Sequence, residues 1–165
     1  MNWQPWRFVY RRDSLPRFRE KVIHEDLDAL PLHLTTLANV YIAKDAYYAY
    51  LPARIGAATE FFNERRIRDI LDVTAHVYGQ LDKISLEPES QRGFKAMLAY
   101  NLFGFYLATS SIQEPERTEL FGVFAKHREW LLAIKAPTRT AWLKRMMIRF
   151  LGVRNAALLC KYLSR

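Results

Sequence analysis

A single cysteine, Cys160, stands in 165 residues. One thiol has no internal disulfide partner and excludes a cysteine-based metal site, which fits a reducing compartment. Long apolar runs are missing as well. No stretch approaches the roughly 20 residues that span a bilayer, and no signal-peptide pattern opens the chain. Internal repeats and low-complexity tracts are also absent. Acid is missing from one end: residues 130–165 hold Lys135, Arg139, Lys144, Arg145, Arg149, Arg154, Lys161 and Arg165 but no Asp or Glu. Residues 1–129 carry 17 basic and 17 acidic side chains, so the whole net charge of +8 resides in the last 36 residues. Such asymmetry points to an anionic partner at that end: a membrane surface, a nucleic acid or an acidic protein face.

What is present is hydrophobic material in quantity, half of all residues, of which 14% of the chain is aromatic. That is enough for one compact core or a large piece of one. The opening, "NWQPWRFVYRRDSLPRF", is aromatic and basic, and Pro5 and Pro16 confine any helix there to a short middle piece. Leu27, Leu30, Leu34, Leu37 and Ala38 recur at helical spacing and predict a helix over about 25–39. "VYIA" (40–43) and "AYYAY" (46–50), rich in β-branched and aromatic residues and parted by Lys44-Asp45, predict two short strands. Pro52 and Gly56 mark a loop. From residue 60 onward the pattern predicts helices over 60–84, 89–111, 114–135 and 138–163, with breaks near Pro88, Pro115 and Pro137. The expected fold is mostly α with a small β element, 1–60 forming a mixed unit and 61–165 a helical, bundle-like region with a basic tail.

Between the basic opening and the first helix lies His24-Glu25-Asp26. The ordered set Trp6, Arg7, Tyr10, Arg11, Arg12, Leu15, Phe18, His24-Glu25-Asp26, then Tyr47, Tyr48, Tyr50, Arg54 and Gly56, resembles the C-terminal half of family 2 glycosyltransferases with the GT-A fold. The resemblance covers about residues 3–60. Ala29 and Ala57 depart from its usual pattern. Ahead of His24 there is neither a parallel βαβ opening for a nucleotide nor an Asp-x-Asp for a divalent metal. The resemblance therefore implies the acceptor-side part of a GT-A α/β fold, inactive alone. The whole enzyme would move sugar from a nucleotide-sugar onto a glycan or lipid-linked acceptor of the cell surface, with Mn or Mg held outside this chain.

In such an inverting transfer a carboxylate takes the proton of the attacking hydroxyl. The resemblance gives that role to Asp26, with Glu25 as an orienting neighbour. Arg54 suits the leaving diphosphate, because a guanidinium binds phosphate oxygens bidentately. Arg7 and Arg11 would face nucleotide or acceptor, and Trp6 would stack on a sugar. Plainer alternatives stand beside these. Glu25, Asp26 and Asp28 also complement the dipole of a helix N-terminus. His24 has no second ligand at i+4 and reads as a structural neighbour. Trp3 and Trp6 serve equally as core residues, and Tyr47, Tyr48 and Tyr50 as sheet packing. His33, His76 and His127 form no recognisable site.

The tail has its own alternatives. Arg145 and Arg149, then Lys161 and Arg165, sit one turn apart beside Trp142, Met146, Met147, Phe150 and Leu151. Over 135–165 this suits an anionic membrane surface, or else a helix packed on its own domain with solvated charges. No nucleic-acid reading motif is present, so nucleic acid is not the expected partner. The functional expectation is an acceptor-side piece of a glycosyltransferase, cytoplasmic and peripheral on the inner face of the plasma membrane. A non-enzymatic basic helical module for membrane surfaces or scaffolding is the alternative. Homo-oligomerisation is left open by the residues.

Overall fold

The computed structural model describes residues 11–41, 63–134 and 139–163. Six α-helices carry these segments: α1 (Glu25–Leu34), α2 (Glu64–Leu81), α3 (Pro88–Ala108), α4 (Glu116–Lys126), α5 (Arg128–Leu132) and α6 (Arg139–Leu163). Single 3-10 turns lie at Arg12–Ser14 and Thr109–Ser111.

Local chemistry accounts for the helix ends. Asn63 caps α2, its side-chain oxygen accepting from the Arg66 N–H at 3.0 Å, which satisfies one otherwise orphaned amide. Pro88 occupies the first turn of α3, where a missing N–H costs nothing. α1 stops at Leu34 rather than near residue 39. The hydroxyls of Thr35 and Thr36 donate to the Leu32 and His33 carbonyls at 2.6 and 2.7 Å, taking acceptors that a further turn would use. The helix expected over 114–135 is two helices, because the backbone leaves the helical region at His127 (φ −111°, ψ 39°). The His127 ring stacks on Trp130 with centroids 4.0 Å apart. α6 is broken at Gly152, whose φ of 77° and ψ of 171° suit a residue without Cβ. Arg128 donates to the Ile148 and Arg149 carbonyls just before that break. The buried Tyr106 hydroxyl donates to the Val153 carbonyl just after it, at 2.7 Å.

α1 packs on α2, α2 on α3, and α3 on α5, while α6 lies against α3, α4 and α5. Their buried faces meet in one cluster that joins Leu27 and Leu30 of α1 to Ile67, Val73 and Val77 of α2. Leu102 and Tyr106 of α3, Phe124 of α4, Leu131 of α5 and Ile148 of α6 complete it.

This architecture corrects the fold expected from the sequence. Among the described residues the GT-A α/β fold with two short strands is not found: their regular elements are helices and they contain no strand. Val40 and Tyr41, which begin the first expected strand, are irregular and exposed; residues 42–50 lie outside the described residues. The physical reason lies in α1. A sheet needs an apolar partner layer, yet Leu27 and Leu30 bury themselves in the same helix-on-helix core as α2 and α3. β-branched and aromatic composition, the basis for expecting strands, reports fit to a half-buried pleated surface and depends on that context. Among the described residues no helix is long and apolar enough to cross a membrane.

Candidate functional site

α1 is unusual in burying five consecutive residues, Leu27 to Pro31, and so its whole circumference. Two of the elements that hold it are polar. On one side Asp69 of α2 accepts from the backbone N–H groups of Ile23 (3.1 Å) and His24 (2.9 Å), and its Oδ2 contacts His24 Nδ1 at 2.7 Å. This fixes the entry to α1 with an acceptor from another helix, since His24 itself makes no side-chain cap. On another side Arg19 forms a bidentate pair with the buried Asp28, Nε to Oδ2 at 2.7 Å and Nη2 to Oδ1 at 2.6 Å. The same Nη2 reaches Asp72 of α2 at 3.2 Å. Hydrogen bonding to Asp28 raises the pKa of Arg19 further above its already high value, so the guanidinium stays charged.

The four carboxylates around the helix start therefore have different fates. Asp28 and Asp69 are engaged structurally, and Glu25 is exposed. Asp26 is half-buried, makes no ion pair among the described residues, and accepts the Leu27 N–H at 2.8 Å. Burial lifts its pKa above the usual carboxylate range, and the adjacent Glu25 charge adds to this. The Leu27 N–H bond and the nearby His24 oppose it. A carboxylate so perturbed is a stronger base than an ordinary surface aspartate.

His24 is not a second base. It is buried, its ring meets Phe105 in a T-shaped contact with centroids 4.8 Å apart, and its Nε2 has no hydrogen-bond partner among the described residues. One ring nitrogen is committed to Asp69 and the other is shut away from any solvent-borne substrate, so the imidazole acts as a latch between α1 and α2. Asp26-Leu27-Asp28 has the literal form of an Asp-x-Asp metal motif. Residues two apart on a helix are rotated by about 200° and so point to nearly opposite sides, however, and Asp28 is already held by Arg19. Among the described residues no group of three His, Cys, Asp or Glu is arranged to hold a metal ion. Burial pushes the Cys160 thiol up, the reverse of what activates a nucleophile.

Of the other residues singled out in the sequence, Arg11 is exposed and pairs with Asp13 at 2.8 Å. Trp6, Arg7 and Arg54, like Tyr47, Tyr48, Tyr50 and Gly56, lie outside the described residues. His33 and His76, 43 positions apart, line one cleft together with Arg17, Arg19, Asp28, Ala29, Leu32 and Thr36. Asp26 is not among its walls. Asp69, Asp72, Arg19 and Phe105 escaped the sequence reading. The one available signal was Asp69, an acid placed one turn before Val73 at the margin of the apolar face of α2. Nothing local shows that the margin docks on the start of another helix.

No protein-family model matches this chain, and neither a curated protein nor a solved structure matches it.

Proposed function

We propose that the chain supplies the acceptor-activating carboxylate of an inverting glycosyl transfer, with Asp26 as the general base. The observation that carries this is the isolation of Asp26 among its neighbours. Asp28 is paired with Arg19, and Asp69 holds His24 and two backbone N–H groups, whereas Asp26 sits at the rim of a clamped helix, partly desolvated, with the Leu27 N–H and no cation among the described residues. Burying a carboxylate without a cationic partner costs stability, and such costs concentrate where chemistry needs them.

In this reading the Asp26 carboxylate takes the proton of an acceptor hydroxyl as that oxygen attacks the anomeric carbon of a nucleotide-sugar. The bond to the nucleoside diphosphate breaks as the new glycosidic bond forms, and the diphosphate leaves with the electron pair. Glu25, exposed one residue earlier, orients the acceptor. Arg54 is the assigned cation for the diphosphate, and Arg7, Arg11 and Trp6 are the assigned contacts to nucleotide or sugar. No described group fits a divalent metal, and no step is assigned to one. The latch (His24–Asp69) and the clamp (Arg19–Asp28) are positioning elements, because a base misplaced by about 1 Å loses on the order of 100-fold in rate. The reading sets the protein in the cytoplasm, acting on a glycan or lipid-linked acceptor.

The test is sugar transfer by the protein as the cell makes it, assayed over a panel of nucleotide-sugars. Asp26→Asn should fold normally yet lose about 10²–10⁴-fold in turnover, the usual contribution of a general base. Near-normal turnover by folded Asp26→Asn would move the base elsewhere and leave Asp26 as a complement to the helix dipole.

A further inference from the structure

The first half of α6 presents a face that the other described residues do not cover. Ile148 is buried, Lys144 lies over the Phe103 ring at 5.6 Å, and Arg145 reaches the Ile134 carbonyl, so one side of this helix is anchored to the bundle. Arg139, Trp142, Leu143, Met146, Arg149 and Phe150 recur at i+3, i+4 and i+7 and share the other side. Trp142 is 53% exposed, Leu143 50% and Phe150 74%. Single exposed apolar residues are ordinary, but a contiguous aromatic and aliphatic face on one helix is not.

Charge selects the occupant. Residues 139–163 hold six Lys or Arg and no acid. Three of the six are drawn into the fold: Lys144 and Arg145 as above, and Lys161, which caps the Ser110 carbonyl at 3.0 Å. Arg154 lies 3.6 Å from Glu114. Arg139 and Arg149 are exposed, and they stand on the same face as Trp142 and Phe150. An apolar strip flanked by arginines, on a helix of about 20 Å that no membrane span includes, fits the boundary between headgroups and acyl chains. Tryptophan favours that boundary because its ring is apolar and its N–H is polar.

We propose that residues 139–151 dock flat on an anionic lipid surface. Trp142, Leu143, Met146 and Phe150 enter the acyl boundary, while Arg139 and Arg149 meet the lipid phosphates. This rests on α6 alone and is independent of the role given to Asp26.

The experiment is co-sedimentation of the protein with vesicles of phosphatidylcholine alone or mixed with phosphatidylglycerol, at low and high salt. Binding should require the anionic lipid and weaken as salt rises, leaving a salt-resistant fraction held by the apolar strip. Arg139→Gln with Arg149→Gln should lower partitioning about 30-fold, roughly fivefold per charge. Trp142→Ser with Phe150→Ser should lower it at least about tenfold and abolish the salt-resistant fraction. These side chains are exposed, so the melting temperature should hold. Should it fall, quenching by brominated lipid, taken as the difference between the wild type and Trp142→Phe, reports insertion in a folded protein. Three results overturn the proposal. One is equal binding to neutral and anionic vesicles; another is a Trp142 that brominated lipid does not quench. The third is a Trp142→Ser/Phe150→Ser protein that turns from dimer to monomer with vesicle binding unchanged, which would make this face a contact between two copies.

Discussion

Asp69→Ala removes one acceptor and strands three donors. The Asp69 side chain is 14% exposed, and it receives the N–H groups of Ile23 and His24 and contacts His24 Nδ1 at 2.7 Å. A hydrogen bond to a charged acceptor is worth about 1.5–3 kcal/mol net, and a buried donor left unmade costs about 1–3 kcal/mol. Three such terms share one carboxylate and do not add, and water will reach some of the freed groups. The expected loss is therefore about 3–5 kcal/mol, the range for breaking a buried polar pair from one side. At 2–4 °C per kcal/mol for a chain of this size, the melting temperature should fall by on the order of 10 °C. Asp72→Ala is the matched control: it too contacts Arg19, at 3.2 Å, but its side chain is 69% exposed, so its loss should stay within about 1 kcal/mol. Urea unfolding followed by circular dichroism gives both numbers, and hydrogen exchange shows where the damage falls. Because Leu27 and Leu30 belong to the common core, protection should drop in α2 and α3 as well as in α1. An Asp69→Ala protein within 1 kcal/mol of wild type, level with the control, would refute the latch and with it the claim that α2 positions Asp26.

Two further outcomes concern single side chains. Gly152→Ala should cost about 1–3 kcal/mol in urea unfolding, wholly from backbone strain, since no heavy atom lies within 4 Å of the added Cβ; an unchanged midpoint would mean that the break in α6 imposes nothing. Asp26→Asn should be neutral or stabilising at neutral pH. With a folded-state pKa above the unfolded one, Asp26 binds more protons folded than unfolded, so its ionised form costs stability that is regained as pH falls through the folded pKa. The advantage of Asp26→Asn should accordingly shrink on acidification, and a protein destabilised at neutral pH would show that the carboxylate has a structural partner.

Some of this protein is written locally in its residues. The periodic apolar positions of α2 and α3, Asn63 before the one and Pro88 at the head of the other act within a turn or two of backbone. Their free energies are nearly the same in any tertiary setting. The acidic start of α1 at Glu25 and Asp26 was legible for the same reason, as was the concentration of positive charge after residue 129. The strands expected at 40–50 rested on composition alone, which carries weight only where a pleated surface exists to receive it.

Tertiary structure decided the rest. Asp26 and Asp28 are equivalent in a linear reading, yet docking buries Asp28 on Arg19 and leaves Asp26 at the rim. Asp69 lies 45 residues from the histidine it holds, and Arg128 acts on carbonyls 20 and 21 residues away at the break in α6. The same holds for the tail, where docking withdrew Lys144, Arg145 and Lys161 and left Trp142, Arg149 and Phe150 outward. A helix presents a face through its own periodicity, but which part of that face is covered depends on the partner it meets. Burial, and with it the pKa of Asp26 and the pairing of Asp28, follows from that meeting.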